Sequence, residues 1–174
     1  MKKIFSLIFC LCFLFIAVPA FSQFIAGVDY FNFKYEENSS SMFGGYVGYD
    51  LGDFEVSLSY YQWSYSDSIT FGTYTYNWTL NLKPMHLNAI YKFKLPNNPN
   101  WVPFAGVGYG NTDFSISGYE EDSEKYNSWL WMVGVRYYFN PQFSLNLTYM
   151  STTVDVEGHS FDGSGYGIGG SYRF

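Results

Sequence analysis

Beyond residue 22 the chain contains no cysteine; Cys10 and Cys12 are its two. A mature protein beginning there would hold no disulfide and could do no thiolate chemistry. Basic residues are scarce as well. Residues 23–174 carry seven Lys or Arg against fifteen Asp or Glu, a net charge of −8. That balance argues against nucleic acid as a partner, because a phosphate-binding surface needs a basic face. Long apolar runs are the third absence: past residue 23 nothing approaches the roughly 20 residues of a spanning helix. No cofactor motif or metal-ligand spacing is present either, and the acidic run Glu120-Glu121-Asp122-Ser123-Glu124 lacks the spacing of a calcium loop.

What the chain has instead is aromatic residues, 24% of the total, and 17 glycines. They are arranged with a period of two. Counting back from the C-terminus, Phe174, Tyr172, Gly170, Ile168 and Tyr166 alternate with Arg173, Ser171, Gly169, Gly167 and Gly165. One face is apolar and the other small or polar, the signature of a strand between lipid and a crowded interior. Phe43, Val47 and Tyr49 alternate likewise with Gly44, Tyr46, Gly48 and Asp50. Phe54, Val56, Leu58 and Tyr60 alternate with Glu55, Ser57 and Ser59. Further on, Met85, Leu87, Ala89 and Tyr91 oppose His86, Asn88, Ile90 and Lys92, and Ala105, Val107 and Tyr109 oppose Phe104, Gly106 and Gly108. Trp129, Trp131, Val133, Val135 and Tyr137 form an apolar face with Arg136 behind it, and Phe143, Leu145, Leu147 and Tyr149 oppose Ser144, Asn146 and Thr148. In the first such segment, 24–35, Asp29 shares parity with Phe31 and Phe33, so a bulge or a membrane-exit point is expected there.

Short turns rich in Pro, Asn, Asp and Gly (50–53, 95–101, 140–142) alternate with longer polar connections (36–41, 64–84, 112–128, 151–164). In an outer-membrane barrel the short turns face the periplasm and the long loops face outside. Residues 73–82 also alternate. Counted separately they would make nine strands, against the even number of bacterial barrels. Merging them with 85–93 gives eight strands and one hairpin standing proud, with Phe71-Gly72-Thr73 at its tip. The expected fold is therefore an all-β, antiparallel, up-and-down transmembrane barrel of eight strands, with ten as the alternative.

Residues 1–22 read as a signal peptide: Lys2 and Lys3, an uncharged apolar run over 4–18, then Pro19-Ala20-Phe21-Ser22. Cleavage before Gln23 is expected, with cleavage after Ala20 as the alternative, leaving 23–174 as one barrel domain.

The segment Pro103-Phe104-Ala105-Gly106-Val107-Gly108-Tyr109-Gly110 and the closing Gly169-Gly170-Ser171-Tyr172-Arg173-Phe174 resemble those of small eight-stranded outer-membrane barrels of the OmpA/OmpX-like kind. The resemblance implies an outer-membrane location among lipids and lipopolysaccharide. It also implies that Gly169, Tyr172 and Phe174 form the signal read by the barrel-assembly machinery, although Gly167 stands where a polar residue is usual.

Candidate chemistry is sparse. Glu55, Lys92, Arg136 and Arg173 share inward parity near the periplasmic end, with Asp29 and Asp50 as further members. In a narrow barrel such charges must pair, giving a structural plug or, alternatively, a gate. His159-Ser160 are adjacent and would point to opposite faces, which argues against a hydrolase dyad; His86 is expected to be a hydrogen-bonding lumen residue. No catalytic, cofactor or metal residue is assigned. The expected role is non-enzymatic, in envelope structure or surface interaction, with the aromatic hairpin 64–84 as a possible partner surface. A narrow channel for ions or small solutes is the second reading and a lipid-modifying enzyme the third.

Overall fold

The computed structural model describes residues 23–36, 38–71, 73–117, 122–156 and 158–174; the expected leader and part of the acidic run lie outside them. Eight strands follow in order: β1 Gln23–Tyr35, β2 Asn38–Asp50, β3 Phe54–Phe71, β4 Tyr74–Lys92, β5 Trp101–Ser117, β6 Asp122–Tyr138, β7 Phe143–Val156 and β8 His159–Arg173. Each pairs antiparallel with its neighbours in the chain, and β1 pairs with β8 to close the barrel. Closure leaves no open edge along the paired wall, the condition a sheet must meet in lipid.

At the end carrying the termini, tight turns are set by side chains. The Asp50 carboxylate accepts the Gly52 amide at 2.9 Å, and Gly52 takes φ +89°, open to a residue without Cβ. Asn140 Oδ1 accepts the amides of Gln142 and Phe143, both at 2.8 Å. The Lys94–Asp53 hydrogen bond raises the ammonium pKa above its ordinary value, but both groups are exposed and water-screened.

The opposite end departs from expectation. The stretches read as long loops are mostly strand: β3 and β4 keep one register from Phe54↔Tyr91 to Phe71↔Tyr74, with pairing interrupted between Tyr60↔Met85 and Trp63↔Leu82, and β7 and β8 stay paired from Phe143↔Tyr172 to Val156↔His159. Their polarity misleads because the apolar face changes sides. Along β3, Phe54, Val56, Leu58 and Tyr60 point outward and are 41–56% exposed, whereas Tyr61 and Trp63 point inward at 4% and 1%. On β4 the inward face passes from His86 and Asn88 to Leu82, while Asn77, Lys83 and other polar residues turn outward. In β1, Phe31, Phe33 and Tyr35 face the interior with Asp29, and Asn32 and Lys34 face out. Its register with β2 and β8 runs unbroken, so the expected bulge is absent. Asp29 marks the exit point instead. Below it the wall is dressed for lipid; above it, for water.

Aromatic rings bound the lipid-facing zone on both sides. Tyr109–Trp129, Trp131–Tyr149 and Tyr149–Tyr166 lie 4.5, 5.4 and 5.1 Å apart on the far side. Phe54–Tyr91, Trp101–Tyr137 and Phe143–Tyr172 lie 5.0, 4.9 and 4.7 Å apart near the termini. From Trp101 to Tyr109 is about 26 Å of strand at 3.3 Å per residue, or about 20 Å along the normal at a tilt of about 40°. The band and its girdles match the hydrocarbon layer that a barrel spans.

Candidate functional site

Eight strands leave an interior only wide enough for side chains, and here it fills in two layers. The layer near the termini is ionic. Arg136, on β6, donates from Nη1 to Glu55 Oε2 at 2.6 Å and from Nη2 to Oε1 at 3.4 Å. Its Nε donates to Asn146 Oδ1 at 2.9 Å, and its guanidinium lies 5.7 Å from the centre of the Phe104 ring. The Tyr46 hydroxyl accepts from Arg136 Nη2 at 3.4 Å and from Asn146 Nδ2 at 3.1 Å. Beside this cluster, Asp50 is bridged by Lys92 and Arg173, and Arg173 also donates to Tyr138 Oη at 2.8 Å. The inward charges therefore sort into two groups, Glu55–Arg136 and Lys92–Asp50–Arg173. Asp29 stands above both and accepts from Tyr61 Oη at 3.0 Å. Three carboxylates face three cations, so the lumen is neutral in sum.

Sequence parity pointed to the charges but not to their hydrogen-bonding shell. Tyr46, Tyr138, Asn146 and Tyr61 share the inward parity, and that was the available signal. It could not say which strands meet across the barrel.

The second layer is apolar. Phe31, Phe33, Tyr35, Tyr61, Trp63 and Leu82 belong to a buried cluster that also takes in Ile90, Phe104, Leu130, Met132 and Met150. Trp63 fixes itself by donating Nε1 to the Phe33 carbonyl at 3.2 Å. Room for these rings comes from β8. Gly163, Gly165, Gly167 and Gly169 pair with Tyr35, Phe33, Phe31 and Asp29, and a Cβ on any of the four would run into a β1 side chain. The glycine of the closing strand at 169 therefore has a packing role against the Asp29 carboxylate. Tyr172 and Phe174 point outward, their rings 4.8 Å apart, with Phe174 5.4 Å from Phe24. Between the ionic and apolar layers the free volume is about 30 Å³, the space of a single water.

The structure also brings together a His–Ser pair that the sequence separates. His86 Nε2 and Ser128 Oγ are 2.8 Å apart, and Thr112 Oγ1 donates to the same Ser128 Oγ at 2.9 Å. His86 is 2% exposed and Ser128 0%, so no substrate can reach the hydroxyl. His159 and Ser160 begin β8 and are both exposed, on a strand rather than in the loop expected. Among the described residues no group of three His, Cys, Asp or Glu is placed to hold a metal.

These features define a class: a closed, eight-stranded membrane barrel with an occluded interior. The chain matches the outer membrane protein beta-barrel domain family over residues 8–174 and belongs to it. Neisserial surface protein A is similar in structure, with a TM-score of 0.65 and 15% identity over 88% of this chain and 97% of that one. The N-terminal β-barrel domain of Pseudomonas aeruginosa OprF gives 0.58 and 21% over 88% and 99%. Yersinia pestis Ail, the attachment invasion locus protein, in complex with the heparin analogue sucrose octasulfate, gives 0.57 and 15% over 88% and 97%. The curated proteins contain no match.

Proposed function

We propose that this protein is a non-enzymatic barrel of the outer membrane, exported by its leader, closed to solutes, and acting at the cell surface through the end remote from its termini. The observation that carries this reading is where the charge sits. The lumen is balanced, Asp53 and Lys94 offset one another at the terminal-end turns, and among the described side chains the remaining charges, Glu36, Asp67, Asp113, Glu124, Asp155 and Asp162 against Lys34, Lys83 and Lys125, leave the far end acidic. There the β3–β4 hairpin projects. Among the described residues β2 pairs with β3 only as far as Trp63, so beyond it the β3 edge of the hairpin is unpaired. Tyr74 and Tyr76 are exposed on it at 70% and 55%. Such an edge can add a partner strand, and the acidic rim favours partners of positive charge. The sulfated ligand held by Ail has the wrong sign for this rim. Lipid and lipopolysaccharide surround the wall, and the closing strand with Tyr172 and Phe174 meets the assembly machinery during biogenesis.

The absence of cysteine from 23–174 supplies the test. Thr75→Cys should react with a membrane-impermeant maleimide on intact cells, and Asn98→Cys only after lysis. The purified barrel should show no conductance steps in planar bilayers, with or without Glu55→Ala. Labelling in the reverse order, or discrete channel openings, would refute the reading.

A further inference from the structure

The far mouth of the barrel is not flush. Above the buried apolar layer lies a cup of about 200 Å³, walled by Tyr35, Trp63, Leu82, Phe114 and Phe161, with Glu36 among the residues lining its rim. Three features set its chemistry. The cup lies above the aromatic girdle, on a stretch where the outer wall is polar, so its apolar lining meets water rather than lipid and gains by being covered. Its walls are rich in aromatic faces, Tyr35 against Trp63 at 5.1 Å and Trp63 stacked on Tyr65 at 6.1 Å. Among the described residues of its lining the one charged side chain is the Glu36 carboxylate, and the described acids of this end outnumber its lysines. Aromatic faces with an acid at the rim and no base among the described lining residues are what an ammonium group with an apolar body requires. An anion would meet the opposite of its needs.

We infer that this cup binds a small organic cation, an arylalkyl- or alkylammonium whose apolar body enters among the rings while its charged end stays beside Glu36. Size agrees: a cavity of about 150 Å³ accepts a benzene ring, and the extra volume here admits a short arm. The inference depends on the far mouth alone and holds whichever way the barrel faces, so it can fail without the surface-topology reading failing.

The test is calorimetric titration of the folded protein in lipid nanodiscs, with empty nanodiscs as blank. The probes are phenethylammonium, the anion 3-phenylpropionate and methylammonium. Phenethylammonium should bind saturably at one site, with a Kd on the order of 1 mM or tighter for so small a ligand. Glu36→Gln should weaken it about fivefold, and Val156→Trp, which fills the cup, should abolish it. Leu80→Trp serves the same purpose if Val156→Trp does not give the compact heat-modifiable form. The proposal is overturned if phenethylammonium gives no heat above the blank or if 3-phenylpropionate binds equally well. It is overturned equally if methylammonium matches phenethylammonium, which would mean diffuse attraction to the acidic rim, or if the filled cup binds as the wild type does.

Discussion

Replacing Glu55 by Gln should destabilise the barrel far more than replacing any exposed carboxylate. Glu55 is fully buried and Arg136 nearly so, their side chains 0% and 3% exposed. The change leaves a guanidinium with no counter-charge at 2.6 Å and no bulk water to replace it. Breaking a buried pair by removing one partner costs about 3–5 kcal/mol. Arg136 keeps Asn146 at 2.9 Å and the face of Phe104, which places the expected loss near the lower figure, about 3 kcal/mol. That corresponds to roughly a 150-fold shift in the unfolding equilibrium. Asp53→Asn is the internal control: its partner Lys94 is 73% exposed, and surface pairs contribute about 0–1 kcal/mol. Urea unfolding in lipid vesicles, followed by tryptophan emission, measures both. The double variant Glu55→Leu with Arg136→Met removes both charges and should recover most of the loss, since an apolar pair of similar volume avoids the desolvation penalty. A Glu55→Gln protein within 1 kcal/mol of wild type, or a double variant no better than the single, would refute the account of the lumen.

Three further outcomes are expected. Ala105→Arg, midway between Trp101 and Tyr109 on the lipid-facing band, should cost about 2–4 kcal/mol in vesicles and Asn77→Arg, on the projecting hairpin, close to none; equal costs would mean the band is misplaced. Gly167→Val should destabilise by about 1–3 kcal/mol, because its side chain would enter the space of the Phe31 ring, and a wild-type urea midpoint would contradict the ring-over-glycine packing. Deleting Phe174 should lower the assembled fraction in cells while leaving refolding into vesicles nearly unchanged, since the residue is 67% exposed; an equal defect in both assays would make its role one of packing rather than recognition.

The lipid-facing half of each strand was legible because only one solvent arrangement produces its pattern. Phe54 to Tyr60 shows apolar residues on one face and Glu55, Ser57 and Ser59 on the other, and lipid outside fixes which is which. The far half was not legible by the same rule. In β4 the alternation of Trp78, Leu80 and Leu82 continues the inward row of His86 and Asn88 without a break in register, but the meaning of apolar has reversed. A strand that leaves the membrane keeps its parity and exchanges its solvent, so its oily face turns inward as in a water-soluble barrel. Asp29 beside Phe31 and Phe33 looked like a fault in β1 for that reason. It is the one carboxylate at the level where the two regimes meet. The proud hairpin was recoverable because Phe71-Gly72-Thr73 reads as a turn in the sequence whichever solvent surrounds it, and β3 and β4 pair up to Phe71↔Tyr74.

The same reversal explains how the charges are apportioned. Inside, each carboxylate loses its hydration and must be met by a cation or a hydrogen-bonded hydroxyl, so Glu55, Asp50 and Asp29 come with Arg136, Lys92, Arg173 and Tyr61. On the band, lipid excludes charge altogether. Only beyond the girdle is an acid free of both constraints, and surface substitutions there shift stability by about 0.5 kcal/mol or less. Folding therefore fixes the neutrality of the lumen but places no demand on the sign of the far end. The acidic excess of the described side chains at that end is thus not something that folding requires. A chain stripped of that excess should fold and insert as before, and differ only in what approaches it from solution.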